Sequence, residues 1–273
     1  MSDPLFDLNG QVAVVTGANG VLISVMAKEL AARGAKVALL SRNESKLADN
    51  LKEIEDAGGT AIALPCDVTD LASIQAASEK IQAAFGDVDL LINGAGGNHP
   101  DATAMPGKTS FFDLPGDAMR FVTDLNLLGT ILPCQVFGKG MAERKSGNII
   151  NISSMAAFKP LTRVFGYAAA KAAVNNFTEW LAVHMATVYS PAIRVNAIAP
   201  GFFLTEQNRF LLTNEDGSLT ARGQTIQDHT PQARFGTPDD LLSTLVWLAA
   251  PGARFITGTV IPVDGGFQAF GGV

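Results

Sequence analysis

The chain has 273 residues, 47% hydrophobic and 17% charged, which is enough for one large domain with a substantial core. A net charge of −6 leaves no basic footprint for nucleic acid, and no uninterrupted apolar run reaches the ~20 residues that span a bilayer. Cys66 and Cys134 lie far apart outside any metal-binding pattern, so a metal site and a disulfide framework are both disfavoured and a reducing, cytoplasmic setting is expected. Asp3 and Asp7, with no basic stretch before an apolar core, do not read as a signal peptide.

Short apolar runs predict strands at 11–16, 36–40, 61–64, 90–93, 148–153, 193–199 and 259–263. Helical patterns lie between most of them, at about 21–33, 44–57, 70–85, 116–144, 167–188 and 238–249. The alternation implies right-handed βαβ units. It predicts a doubly wound α/β fold of Rossmann type, one domain over 1–273, whose seven-stranded parallel sheet has helices on both faces. Two long polar stretches, 96–115 and 202–237, follow strand ends, and the second is expected to be a substrate loop.

The first strand runs into VVTGANGVLI. Gly17 and Gly20 make a tight turn into a helix, where a dinucleotide pyrophosphate would meet the helix N-terminus. Gly17, Asn19, Gly20 and Leu22 are therefore candidate cofactor contacts. The second strand ends in Ser41 and Arg42, where NAD-binding versions of such a fold place a carboxylate on the adenosine ribose. A guanidinium there suits a 2′-phosphate, so NADP(H) is favoured and NAD(H) stays open. Ser41 and Glu44 also fit a capping box for the next helix. Asp67, with Val68, is a candidate for the adenine amine or else a helix cap. Asn93, Ala95 and Gly96 follow the fourth strand, where glycines again allow close approach. Asn126 falls among apolar neighbours within a helix, a setting that also suits a plain core amide.

Ser154 ends the apolar run NIINIS, at the carboxyl edge where open α/β sheets bind ligands. Thirteen residues on is Tyr167, and four further is Lys171, on the same helix face. A phenol alone, with a pKa of about 10, exchanges protons poorly near neutrality, and an adjacent ammonium is expected to draw it down. A serine hydroxyl, a tuned tyrosine and a lysine together could polarise a carbonyl and protonate it as hydride arrives. After the sixth strand, Pro200 and Gly201 turn the chain and Thr205 is placed near a nicotinamide. Asn98, His99, Arg163, Phe203, Asn208 and Arg209 gather on loops at this edge with Ser154. Their amide, imidazole and guanidinium groups suit hydroxyls and a carboxylate, and Arg209 is preferred over Arg163 for the carboxylate.

Thr16–Gly17, Asn93–Gly96, Asn126, Ser154, Tyr167-x-x-x-Lys171 and Pro200-Gly201-x-x-x-Thr205 occur in one order. By them the chain resembles the short-chain dehydrogenase/reductases over essentially its whole length. The resemblance implies Tyr167 as general acid/base, Ser154 as carbonyl polariser, and Lys171 as tyrosine tuner and nicotinamide-ribose ligand. It implies that Asn126 holds a water relaying protons to Lys171, and that the assembly is a homotetramer. GAGGNHPDAT, NISSMAAFKPLTR and PGFFLTEQNRFLL are similar to the D-mannonate oxidoreductase (fructuronate reductase) branch. That implies a keto or hydroxy sugar acid as substrate. A neutral ketose or polyol reductase and a non-catalytic NADP-binding regulator are the alternatives. Ile23 departs from the family, standing where its last turn glycine belongs. It is expected to widen the helix–strand contact or to crowd the nicotinamide side.

Overall fold

The computed structural model of the protein describes residues 3–205 and 208–272. Seven strands, β1 Val12–Thr16, β2 Lys36–Ser41, β3 Thr60–Pro65, β4 Leu90–Asn93, β5 Gly147–Ile152, β6 Ile193–Pro200 and β7 Val260–Val263, form one sheet. Every pairing is parallel and the order is β3-β2-β1-β4-β5-β6-β7. All residues of β1, β4 and β6 are buried, as strands covered on both faces must be. The expected strand limits hold to within one residue.

The chain winds outward from β1 in one direction to β3, then returns to β4 and winds the other way. Thr16 is in register with Leu40 on one side and Asn93 on the other, so the carboxyl ends of these strands are level. The crevice between β1 and β4 is therefore the switch point at which such sheets take ligands. Helices α1 (Val21–Ala32) and α9 (Leu242–Ala249) cover one face, packing Met26, Leu30, Leu245 and Leu248 onto Val15 and Ile92. On the other face α3 (Leu71–Phe85), α5 (Gly129–Arg144) and α6 (Phe165–His184) bring Ile74, Ile81, Phe137, Met141 and Leu181 onto Val14 and Leu91. Each such fully buried side chain contributes roughly 1.5–3 kcal/mol.

Three expectations are corrected. The helix expected over 116–144 is divided into α4 (Gly116–Thr123), a π turn at Asp124–Leu128, and α5. Asn126 causes the break to be useful: its amide reaches out of the helix to the loop after β4. Gly116–Arg144 is long and apolar enough to cross a membrane by length and composition, yet 44% of its most apolar window is buried inside the molecule. It packs as a core helix. Second, Ser41 does not cap α2 (Glu44–Asp56). Asn43 does, its side chain accepting from Lys46 N at 3.1 Å, while Ser41 Oγ accepts only a 3.4 Å bond from Asn43 N. Asn43 sits directly before the helix, where an amide oxygen reaches the third helical N–H, and so wins over a box starting two residues earlier. Third, the stretch 202–237 is not featureless. It holds α7 (Arg209–Leu212) and α8 (Ala221–Asp228), joined through a bridge between Thr213 and Leu219.

Candidate active site

Two cavities run side by side along the carboxyl edge of the sheet. The first, about 230 Å³, is bordered by Gly17, Asn19, Ser41, Arg42, Lys46 and Val68, with Ala95 and Gly96 across the crevice. The second, about 330 Å³, is bordered by Leu22, Ser154, Tyr167, Lys171, Pro200, Gly201, Phe203, Thr205 and Asn208 among others. Gly20, Gly94 and Gly96 line both, so the two form one groove.

Glycine geometry makes the groove. Gly17 has φ of +69°, and a Cβ there would lie 2.7 Å from the Ala95 backbone. Two carboxyl ends can approach this closely only without that atom. Thr16 ties them, its buried hydroxyl accepting from Gly94 N at 3.1 Å and Ala95 N at 3.3 Å. Asn50 on α2 secures the turn by donating to Ala18 O at 3.0 Å. Helix α1 then starts from Gly20 with no side-chain cap. Its first N–H groups and the positive end of its dipole are left for an anion, in a cavity bordered by Gly20, Val21 and Leu22. A dinucleotide fits this arrangement: an uncapped helix start for the pyrophosphate, one lobe for the adenosine and one for the nicotinamide.

Ile23 packs against the end of β4 and borders the groove. It is buried, and a Cβ on Gly94 would lie 2.7–2.8 Å from three of its carbons. The glycine that α1 lacks is supplied from the opposite side, after β4. The same side chain borders the second cavity.

In the adenosine lobe, Arg42 before the cap of α2 and Lys46 in its first turn present two cations. Lys46 was not anticipated: it lies in the first turn of a helix whose start was expected at residue 44, and only the fold shows that this turn borders the lobe. Asp67 does not line the lobe. Its carboxylate accepts from Thr69 N at 2.9 Å and Thr69 Oγ1 at 2.7 Å and lies 4.0 Å from Arg42, and Asp70 is the cap of α3. These bonds from Thr69 and the charge of Arg42 outweigh its partial burial and hold Asp67 below the usual carboxylate range. Asn93 also lies away from the groove. Its Nδ2 donates to Asn151 Oδ1 at 2.9 Å and Cys134 Sγ at 3.1 Å, and Asn151 continues the chain to Thr178. It is an internal fastener of β4 to β5 through its Nδ2, while its buried Oδ1 has no partner among the described residues.

In the nicotinamide lobe, the Ser154 hydroxyl oxygen accepts from Ala156 N at 3.1 Å, capping the single turn Met155–Ala157. Its O–H is left to donate into the lobe that Tyr167 also borders. Burial raises the Tyr167 pKa above its ordinary value, and the bond from Ser154 works against that rise. This corrects the expectation of a phenol drawn down by Lys171, whose Nζ is 5.8 Å from the ring centroid. Lys171 is itself pushed down to about 8 by burial. One of its three donors goes to Ile152 O at 2.7 Å, which fixes the ammonium at the end of β5.

Asn126 is fully buried. Its Nδ2 donates to Gly97 O at 2.6 Å and Val122 O at 2.8 Å, and its Oδ1 accepts from Gly97 N at 3.0 Å. The amide thus splices the loop after β4 onto the π turn. A Cβ at Gly96 would lie 2.7 Å from Asn126 Oδ1 and 3.1 Å from Lys171 Nζ, so the three meet at one point.

The substrate candidates divide. Phe203 and Asn208 border the catalytic lobe, and Asn208 closes its own turn by donating to Phe203 O at 2.7 Å and accepting from Thr205 N at 2.8 Å. Asn98 and His99 order their own loop: Asn98 donates to Thr103 Oγ1, and His99 Nδ1 accepts from Asp101 N. Neither borders the lobe. Arg209 is exposed at the start of α7 and also lies outside it. Arg163 lines a separate, adjoining cavity.

The description of the short chain dehydrogenase family matches residues 11–216. The uncharacterized oxidoreductase UxuB of Bacillus subtilis is 52% identical over 276 residues, covering 98% of each chain. A crystal structure from Haemophilus influenza, provisionally assigned as a D-mannonate oxidoreductase and holding NAD, superposes with a TM-score of 0.92 at 44% identity, covering 98% of each chain. A gluconate 5-dehydrogenase from Burkholderia cenocepacia, solved with NADP and tartrate, gives a TM-score of 0.85 at 30% identity, with 98% of each chain covered. Nicotinamide dinucleotides of both kinds thus occupy proteins of this shape. Fold, matched family and sequence identity agree, and the chain belongs to the short-chain dehydrogenase/reductase family of oxidoreductases.

Proposed function

We propose that the protein is an NADP(H)-dependent oxidoreductase that interconverts a keto and a hydroxy sugar acid of the fructuronate/mannonate type. The observation that carries this reading is the meeting of Ser154, Tyr167 and Lys171 in the inner lobe of a groove shaped for a dinucleotide. A bound reduced nicotinamide supplies the hydride. Ser154 donates a hydrogen bond to the substrate carbonyl and holds it against Tyr167. Tyr167 gives its proton to the oxygen as negative charge develops there. A phenol kept protonated by burial is suited to this task, since reduction needs the acid form. Lys171, anchored on Ile152 O, offers its remaining donors to the cofactor ribose and supports the phenolate left behind. Asn126 holds the loop at Gly97 beside Lys171 and, as in the family pattern, the water through which the proton is replaced.

The cofactor choice rests on Arg42 and Lys46 in the adenosine lobe, both cationic where a 2′-phosphate would lie. NADPH is expected to exceed NADH in kcat/KM, and Arg42→Ala to lower that ratio about tenfold, one charge-assisted contact at a half-exposed site. A ratio near unity in the native protein, unmoved by Arg42→Ala, would assign NAD(H) instead. The substrate reading is tested by following nicotinamide absorbance with fructuronate and fructose, which share the ketone and differ in the carboxylate. Strong preference for the acid is expected. Equal kcat/KM on both would leave a neutral ketose or polyol reductase, and turnover of neither or of any keto sugar would leave a regulator. The single domain 1–273 is proposed to assemble as a cytoplasmic homotetramer. The exposed Trp180 and Val183 on the outer face of α6, and the buried, unpaired Cys66 and Cys134, support that setting. Light scattering gives the mass.

A further inference from the structure

Beyond the catalytic lobe lies a cavity of about 660 Å³ whose lining includes Lys159, Arg163, Arg222, His229 and Phe202. Phe202 also lines the catalytic lobe, so the two cavities adjoin at that residue. Arg163 belongs to the segment that carries Ser154 at one end and Tyr167 at the other, and Arg222 comes from α8 in the stretch after β6. Among the described residues no carboxylate lines this cavity, and neither guanidinium is in an ion pair. Two further basic groups line it: Lys159, whose Nζ gives one of its three donors to Phe270 O at 2.8 Å, and His229, whose Nδ1 contacts Thr225 O at 2.8 Å.

Two further features point the same way. Arg163 has φ of +76°, an unusual backbone state for a side chain with a Cβ, and its carbonyl is tied down by Ala104 N at 2.9 Å. The chain is thus held in a costly conformation at that residue. Burial lowers the Arg222 pKa, and the like charge of Arg163 lowers it further. Two like charges facing one half-dry space destabilise a fold unless something negative enters.

We infer that Arg163 and Arg222 form the subsite for the substrate's carboxylate, holding it near Phe202, where the two cavities adjoin. The inference rests on the sugar-acid reading and sharpens it, moving the carboxylate from Arg209 to this pair. In a 5-keto hexonate the carboxyl carbon lies roughly 5 Å from the carbonyl carbon, so the carboxylate must bind near the border at which the two cavities meet. Two guanidinium forks can each take carboxylate oxygens in plane, which one lysine cannot. Sequence reasoning missed Arg222 because nothing in its surroundings forms a motif.

The test uses the full chain saturated with NADPH, with which D-mannonate cannot exchange hydride, and titrates D-mannonate and its neutral counterpart mannitol by calorimetry. The native protein is expected to bind mannonate about 10- to 100-fold more tightly than mannitol. Arg163→Met and Arg222→Met should each abolish that difference while leaving mannitol binding in place, and Arg222→Lys should restore part of it. Without ligand, Arg222→Met should unfold at the same or a higher temperature, because a repulsion is removed. Mannonate should raise the unfolding temperature of the native protein and not of either Met variant. Preference for mannonate that survives in both Met variants overturns the inference, as does equal binding of mannonate and mannitol by the native protein. If no hexuronate is turned over yet arginine-dependent mannonate binding persists, the subsite stands and the reaction proposed above falls.

Discussion

The site has two walls, and they are held in different ways. One is the carboxyl edge of β1, β4 and β5. There Thr16, Asn93, Asn126 and Asn151 are fully or almost fully buried, and their side chains bond strand to strand and loop to helix. The other is the stretch 202–237. Its order comes from short-range bonds such as Asn208 to Phe203 O, Asn214 to Ser218 and Leu219, and Thr220 to Gly223 N, the Asn214 bonds being exposed. A buried polar network loses the full desolvation cost of its groups when it opens, so it opens with the whole fold. An exposed turn exchanges its bonds for water and can open alone. The catalytic trio lies on the first wall, and Arg222 on the second. The carboxylate subsite inferred above would draw one arginine from the segment between Ser154 and Tyr167 and the other from the second wall.

The largest expected effect concerns the fixed wall. Tyr167→Phe removes the hydroxyl and leaves the ring against Ala102, Ala118 and Val122. We expect kcat to fall by ~10²–10⁴ with cofactor affinity retained, since general acid catalysis contributes about that much. Near-native turnover would take the proton transfer away from Tyr167.

Next is Lys171, whose pKa falls from 10.5 unfolded to about 8 in the fold because it is buried. Between those values the unfolded chain holds the proton and the native protein has released it, so stability rises with pH across that window. Below about 8 the cost of burying the charge is fully present. Unfolding free energies of the native protein minus those of Lys171→Met should therefore climb from about pH 8 toward 10.5, by up to roughly 1.4 kcal/mol per unit of depression. A flat difference would mean that the lysine is wetter than its 3% exposure indicates.

Gly94→Ala probes the packing of the same wall. The added Cβ meets Ile23 at 2.7 Å. Overpacking of this kind costs ~1–3 kcal/mol. Ile23→Ala should relieve it, making the double variant more stable than the sum of the single changes in a thermodynamic cycle. Additive effects would show that Ile23 has room elsewhere, and that the exchange of glycines between α1 and the end of β4 is coincidental.

The two walls also differ in how far they could be read from the sequence. β1 and β4 are apolar up to their last residue, and β6 is apolar apart from Arg194 and Asn196, so little competes with strand there. Ser154, Tyr167 and Lys171 were legible because a strand end and a helix face fix their spacing. Asn93 looked like a cofactor contact from its place in NGAGG, but side-chain direction alternates along a strand and sent it inward. Ser41 looked like a cap because the box pattern fits, while the nearer Asn43 competes for the same N–H groups. Asn126 was found without its reason, since a π turn leaves no trace in hydrophobic period. In 202–237, α7 has four residues and α8 eight, too short for periodicity to stand out. Their positions depend on turns and on their contact with each other, which is tertiary information.

The smallest expected effect separates the walls most sharply. Gly223, in the first turn of α8, packs against α7 so closely that a Cβ would lie 2.1 Å from Leu212 O. Its φ is not in the left-handed region, so Gly223→Ala adds no backbone strain of its own, only this collision. The obstacle is a backbone carbonyl, which cannot rotate aside as a side-chain tip can. Relief requires α8 to move from α7, and nothing in the buried network of β1, β4 and β5 has to follow. If 202–237 is a separately opening unit, amide exchange should quicken across 209–228, while the global unfolding midpoint shifts by no more than ~1 °C. Displacing α8 also displaces Arg222, so KM for a sugar acid should rise and KM for the cofactor should not. A midpoint drop comparable to that of Gly94→Ala, with exchange quickened across the sheet as well, would show that both walls unfold together. Substrate selection would then rest on a surface as fixed as the chemistry beside it.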